Sequence, residues 1–135
     1  MIAALVAVAL VVPPPPGTDV RRILDAIEEV ETGGHRNPDA AVGDGGKARG
    51  RLQIHRCAWV DAVAYSPALG KREYLDVHDR EYAEAVFVAY VSRYAPDWSI
   101  ETVAGVWNGG PKGHRKNATK AYRAKARQAW ERSDE

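Results

Sequence analysis

The sequence predicts an α+β domain, mainly α, of about five helices with one small β-hairpin. Three observations carry that expectation. Apolar residues recur at helical spacing in three stretches, around residues 20–27, 86–94 and 100–107. Two short apolar runs flank a glycine-rich segment at 43–50, as a hairpin requires. With 135 residues, a net charge of +1 and a single cysteine, the chain can bury one core but cannot brace it with an internal disulfide.

The first helix starts at Thr18 or Asp19, either of which can cap it. Val20, Ile23, Leu24 and Ile27 form its apolar stripe, and Glu31, four residues after Ile27, extends that face. Glu28 and Glu29 fall off the stripe, among Arg21, Arg22 and Asp25, and are read as solvated. Gly33 and Gly34 can take the left-handed conformation that closes a helix. Strands at 40–42 and 51–54 follow, making a hairpin that carries Asp44 in its loop.

A short helix over 56–64 ends before Ser66-Pro67. The longest helix begins at Asp79 and runs to Tyr94, where Pro96 stops it. Val86, Phe87, Tyr90, Val91 and Tyr94 make it the expected central core helix. Ser99 caps the next, whose Ile100, Val103, Ala104 and Trp107 share a face and lead into the turn Asn108-Gly109-Gly110-Pro111. From Pro111 to Arg132 there are eight Lys or Arg against the single acid Glu131.

Residues 18–135 are read as one domain and 1–17 as a separate leader. Residues 2–12 form an eleven-residue apolar run ahead of Pro13–Pro16. A membrane-crossing helix takes about twenty residues, so this run suits a secretion signal better than a span. An uncleaved amino-terminal anchor is the alternative. The expected location is secreted or periplasmic, with no stable membrane insertion after processing and a monomeric state. Near-neutral charge argues against nucleic acid, while the basic segment with Lys112, Arg115, Lys116, Lys120 and Arg123 reads as a solvated basic helix or as an attractor of an anionic polymer such as the cell wall.

The chemistry-bearing pair is Glu31 and Asp44. A glutamate half-buried at the negative end of a helix dipole has its charged form disfavoured, which raises its pKa into the range of a general acid. Glycosidic bonds break when one acid protonates the leaving oxygen while a second carboxylate supports charge at the anomeric carbon. Asp44, between glycines, fits the second role, and taken alone fits a turn aspartate equally well. The four histidines are scattered and no His or Cys pair has ligand spacing, so no metal or cofactor is expected. Cys57 lacks a positioned base and is not read as a nucleophile.

The order Val30-Glu31-Thr32-Gly33-Gly34, Asp44, Gly50-x-x-Gln53-Ile54, Trp59-x-Asp61, Tyr90-x-x-Arg93-Tyr94, Ala104-x-x-x-Asn108-Gly109-Gly110-Pro111-x-Gly113, Thr119-x-x-Tyr122 resembles the invertebrate-type lysozymes, or destabilases. The resemblance covers residues 23–125. It implies a lysozyme-like fold and hydrolysis of the β-1,4 bond between N-acetylmuramic acid and N-acetylglucosamine in peptidoglycan. Glu31 matches the family's proton donor, and Asp44, across a one-residue gap, its nucleophile or charge stabiliser. Ala62 and His114 stand where half-cystines are usual, and Trp107 stands in place of a histidine.

Substrate contacts are expected from Thr32, Gln53, Trp107, Asn108, Gly109 and Gly110: the Thr32 hydroxyl would position Glu31, and the Asn108-Gly109-Gly110 turn would bring backbone close to the cleft or simply stop the helix. Gln53 is read as orienting a sugar group or fixing its loop, and Trp107 as groove lining or core. Shorter motifs, Glu-Thr-Gly, Gly-x-x-Gln-Ile and Asn-Gly-Gly-Pro, are also similar to lytic transglycosylases, which use one glutamate. A cell-wall-binding module without catalysis is the third reading.

Overall fold

The computed structural model describes residues 13–133; the apolar run at 2–12 lies outside them. The described chain is mainly helical, with a small antiparallel sheet, as the sequence predicts. Its α-helices are α1 (Val20–Thr32), α2 (Arg56–Tyr65), α3 (Arg80–Tyr94), α4 (Ile100–Gly109) and α5 (Lys120–Arg132). No helix among the described residues is long and apolar enough to cross a membrane.

The caps follow from side-chain chemistry. Asp19 accepts from the Arg22 amide, Asp79 from the Glu81 and Tyr82 amides, and Ser99 from the Thr102 amide. Helix α3 is buried almost all round, from Tyr82 to Ser92, and forms the middle of the core. Helix α1 and helix α4 pack on α5, and α2 packs on α3. Leu24, Ile27, Leu52, Ile54, Phe87, Val103 and Val106 meet in one cluster, with Trp107 edge-on to Phe87 at 4.6 Å and to Tyr90 at 5.4 Å.

Three expectations about local geometry are corrected. The sheet has three very short strands, β1 (Val42–Gly43), β2 (Ala48–Arg49) and β3 (Ile54–His55), in the order β1-β2-β3. The segment expected to be a strand at 51–54 is instead mostly a turn. Gly50 at φ +78° and Gln53 at φ +52° bend it, and the Gln53 amide donates to the Gly50 carbonyl at 3.0 Å. The expected first strand, 40–42, also begins later, because 38–40 form a 3₁₀ turn. At the end of α1, Gly33 is extended (φ −58°, ψ 131°) and Gly34 alone is left-handed (φ +84°).

Beyond α4 the chain turns back through a 3₁₀ turn at Gly113–Arg115 that lies directly on the helix. A Cβ on Gly113 would come within 1.9 Å of the Gly105 carbonyl oxygen, and one on Gly105 within 2.3 Å of the His114 Cα. The two glycines therefore let backbone meet backbone, which brings α5 to the carboxyl end of α1.

Candidate active site

A cleft of about 250 Å³ opens where the end of α1, the small sheet and the end of α4 converge. Its lining includes Glu31 from α1, Asp44 from the β1–β2 loop, Ala48 and His55 from the sheet, Gln53 from the turn, and Trp107 and Asn108 from α4. Of the eight residues singled out from sequence, five face this space: Glu31, Asp44, Gln53, Trp107 and Asn108. Residues 76 positions apart, Glu31 and Trp107, share it only because α1 and α4 both pack on α5.

Glu31 is the chemically distinctive group. Burial pushes its pKa up from 4.5 to about 7, against a smaller downward pull from the Tyr122 hydroxyl. That hydroxyl, in the first turn of α5, donates to Glu31 Oε2 at 2.7 Å. Burial and the neighbouring carboxylate push the Tyr122 pKa well up in turn, so its proton stays on the phenol. With Oε2 occupied as an acceptor, Oε1 is the oxygen left to carry and deliver a proton. Tyr122 entered the sequence reading only as part of a motif; its signal is an aromatic spaced four and seven residues before the buried Ala126 and Ala129.

Asp44 differs in every respect. Its side chain is 64 % exposed, its backbone is left-handed at φ +51°, and its Oδ2 lies 3.6 Å from His55 Nε2. Glycines at 43, 45 and 46 surround it, leaving the rim open on that side. The cleft thus pairs a sheltered acid whose neutral form is favoured by burial with an exposed carboxyl side chain on its rim.

Gln53 fixes its own loop, its Nε2 donating to the Gly50 carbonyl at 2.9 Å while the side chain borders the cleft. Trp107 does both things the sequence allowed: it is packed in the core, and its Nε1 donates to the Leu52 carbonyl at 3.1 Å at the cleft edge. Thr32 is a correction. Its hydroxyl hydrogen-bonds the Glu28 carbonyl at 3.2 Å and the Arg51 carbonyl at 2.8 Å, so it ties α1 to the turn and does not hold Glu31. Its helical position turns it away from the Glu31 side, since adjacent residues sit about 100° apart.

Gly109 and Gly110 are also corrected, since neither lines the cleft. Gly109 packs under Thr119, and its carbonyl accepts from Lys116 Nζ at 2.8 Å; Gly110, left-handed at φ +89°, ends α4. Glu28 is not a solvated acid. It pairs with Arg51 Nε and, at 3.1 Å, with Arg80.

That pairing belongs to a network that sequence reasoning missed. Arg51 is 1 % exposed, and its guanidinium reaches Glu28 and Glu84, the latter at 2.7 Å. Arg21 binds Glu84 from the other side with two 2.7 Å contacts. Burial pushes Glu84 up, but Arg21 and Arg51 outweigh it and hold its carboxyl below the ordinary range. With the Arg51 and Leu52 carbonyls accepting from Thr32 and Trp107, residues 51–53 are pinned at three consecutive positions beside the cleft. No group of three or more His, Cys, Asp or Glu among the described residues could hold a metal ion. No protein-family model, curated protein or solved structure matches the chain.

Proposed function

We propose that the protein is a glycosidase that cleaves the β-1,4 bond between N-acetylmuramic acid and N-acetylglucosamine in peptidoglycan. The observation that carries the reading is the sheltered position of Glu31 in the cleft lining, hydrogen-bonded by Tyr122 on one oxygen, where burial raises its pKa to about 7 and keeps a proton available near neutrality. Glu31 gives its proton to the bridging oxygen as the bond breaks. Positive charge then grows at the anomeric carbon, and Asp44, facing the same cleft as a solvated carboxylate, stabilises or traps it before water completes hydrolysis. Asn108 and Gln53 offer amides toward sugar hydroxyl or N-acetyl groups, and Trp107 offers an apolar wall.

A lytic transglycosylase is the second reading, favoured by the exposure of Asp44, which has no partner that would hold it against an anomeric carbon more firmly than the 3.6 Å approach of His55. There Glu31 acts first as acid and then as base, and the sugar closes on itself as an anhydro product. Digestion of purified peptidoglycan followed by mass spectrometry distinguishes the two, because hydrolysis adds one water to the product and transglycosylation adds none. Asp44→Asn should abolish hydrolysis and leave transglycosylation intact. Undiminished release of soluble sugar by Glu31→Gln would remove this acid from the mechanism. Binding of peptidoglycan with no soluble product from the unaltered protein would reduce the cleft to a wall-binding site.

A further inference from the structure

Strand β2 divides two spaces. Ala48 pairs with His55 across the sheet, and both line the Glu31 cleft. Side chains alternate along a strand, so Lys47 and Arg49, on either side of Ala48, turn to the other face. There they line a second hollow of about 510 Å³ together with Arg56, Tyr74 and Leu75. His55 borders both spaces, so the two lie side by side at its imidazole.

No carboxylate lines this hollow. Among the described residues Lys47, Arg49 and Arg56 have no ion-pair partner, whereas several surface arginines elsewhere have one, among them Arg72 with Asp79, Arg80 with Asp39, Arg127 with Glu101 and Arg132 with Glu29. Arg49 Nε is steadied by the Gly46 carbonyl at 2.9 Å, and the Arg56 guanidinium lies 4.7 Å over the Tyr74 ring. Tyr74 is itself fixed, its hydroxyl donating to the Ile54 carbonyl at 2.5 Å. The nearest acids are engaged or turned elsewhere: Asp44 lies beyond His55, Asp76 pairs with Arg72, and Glu73 caps a 3₁₀ turn.

Three like charges around one concavity repel each other and focus a positive field on whatever enters it. We propose that this groove holds an anionic branch of the glycan strand whose backbone occupies the Glu31 cleft, with Lys47, Arg49 and Arg56 as its contacts. The inference rests on the glycan reading of that cleft and names which strands it prefers: those carrying carboxylate or phosphodiester branches. Arginine's planar fork suits both groups. The hollow has about twice the volume of the cleft, room for a branch of several residues and more than a single ion needs.

The test uses Glu31→Gln protein, which binds without turnover, and reads dissociation constants and amide chemical shifts at residues 46–57. The probes are a disaccharide bearing an acidic peptide, the same disaccharide without peptide, and a glycerol phosphate trimer. The peptide-bearing disaccharide should bind about tenfold more tightly than the bare one, the size expected for one or two charge-assisted contacts. Lys47→Ala/Arg56→Ala should erase that advantage and leave the bare disaccharide unaffected. Stronger, variant-sensitive shifts from the glycerol phosphate trimer than from the peptide-bearing probe would assign the branch to phosphodiesters.

Equal affinity for both disaccharides with no shift from the trimer would overturn the inference, as would an equal loss for both in the double variant. If neither disaccharide binds while the trimer still shifts residues 46–57 in a Lys47- and Arg56-dependent way, the glycan reading of the cleft fails and the branch assignment falls with it, leaving a free anion site.

Discussion

Replacing Glu31 by glutamine should make the protein more stable at alkaline pH and no more stable in acid. Burial lifts the Glu31 pKa from 4.5 to about 7, so the fold favours its neutral form. A tenfold change in proton affinity is worth about 1.4 kcal/mol, so ionising this side chain in the fold rather than in the unfolded chain costs about 3 kcal/mol. The sign follows from proton counting. Between 4.5 and about 7 the folded state holds a proton that the unfolded state has lost, so stability falls as pH rises through that window. Below it both states are protonated and the cost is absent.

Glutamine is neutral at every pH, and its amide oxygen can still accept the Tyr122 hydroxyl. Urea unfolding of Glu31→Gln and the unaltered protein should therefore give equal free energies near pH 4 and a gap of about 3 kcal/mol in favour of the variant near pH 8. The same variant should lose glycosidase activity at both ends of the range. A stability difference that does not change with pH, or one that favours the unaltered protein at about pH 8, would refute the claim that Glu31 is held neutral by its surroundings.

Tyr122→Phe removes the hydrogen bond that pulls Glu31 down, so the Glu31 pKa should rise further and the alkaline limb of the activity profile should move to higher pH, as read by rate against pH. Arg51→Ala leaves Glu84 facing Arg21 alone and strips Glu28 of one partner; unfolding should be easier by about 3 kcal/mol or more in urea titration, as for other broken buried pairs. Gly113→Ala would drive a Cβ into the Gly105 carbonyl, and a fall in Tm of several degrees, about 2 kcal/mol or more, should follow in calorimetry.

Patterns that repeat along one element were readable without coordinates. The stripe of Val20, Ile23, Leu24 and Ile27 fixed the buried face of α1 and set Glu31 on its edge. Asp79 and Ser99 announced the starts of α3 and α4, because a cap acts on amides two or three residues away. The hairpin was legible as a glycine-rich loop, but its register was not. Strands of two residues have no alternation long enough to read, and the 50–53 turn is set by where Gly50 meets the Val77 carbonyl.

The sequence by itself determined the segments that become α1 to α4, that apolar residues suffice for one core, and that Glu31 ends a helix between apolar and polar faces. Only the tertiary structure decided that Tyr122, 91 residues later, gives Glu31 its hydrogen bond, that Arg51 lies buried between Glu28 and Glu84, and that Thr32 serves the turn instead of the acid. The physical reason is range. Periodicity and capping are properties of neighbours along the chain, whereas desolvation and charge pairing depend on which distant surfaces the packing of α5 against α1 and α4 brings into contact.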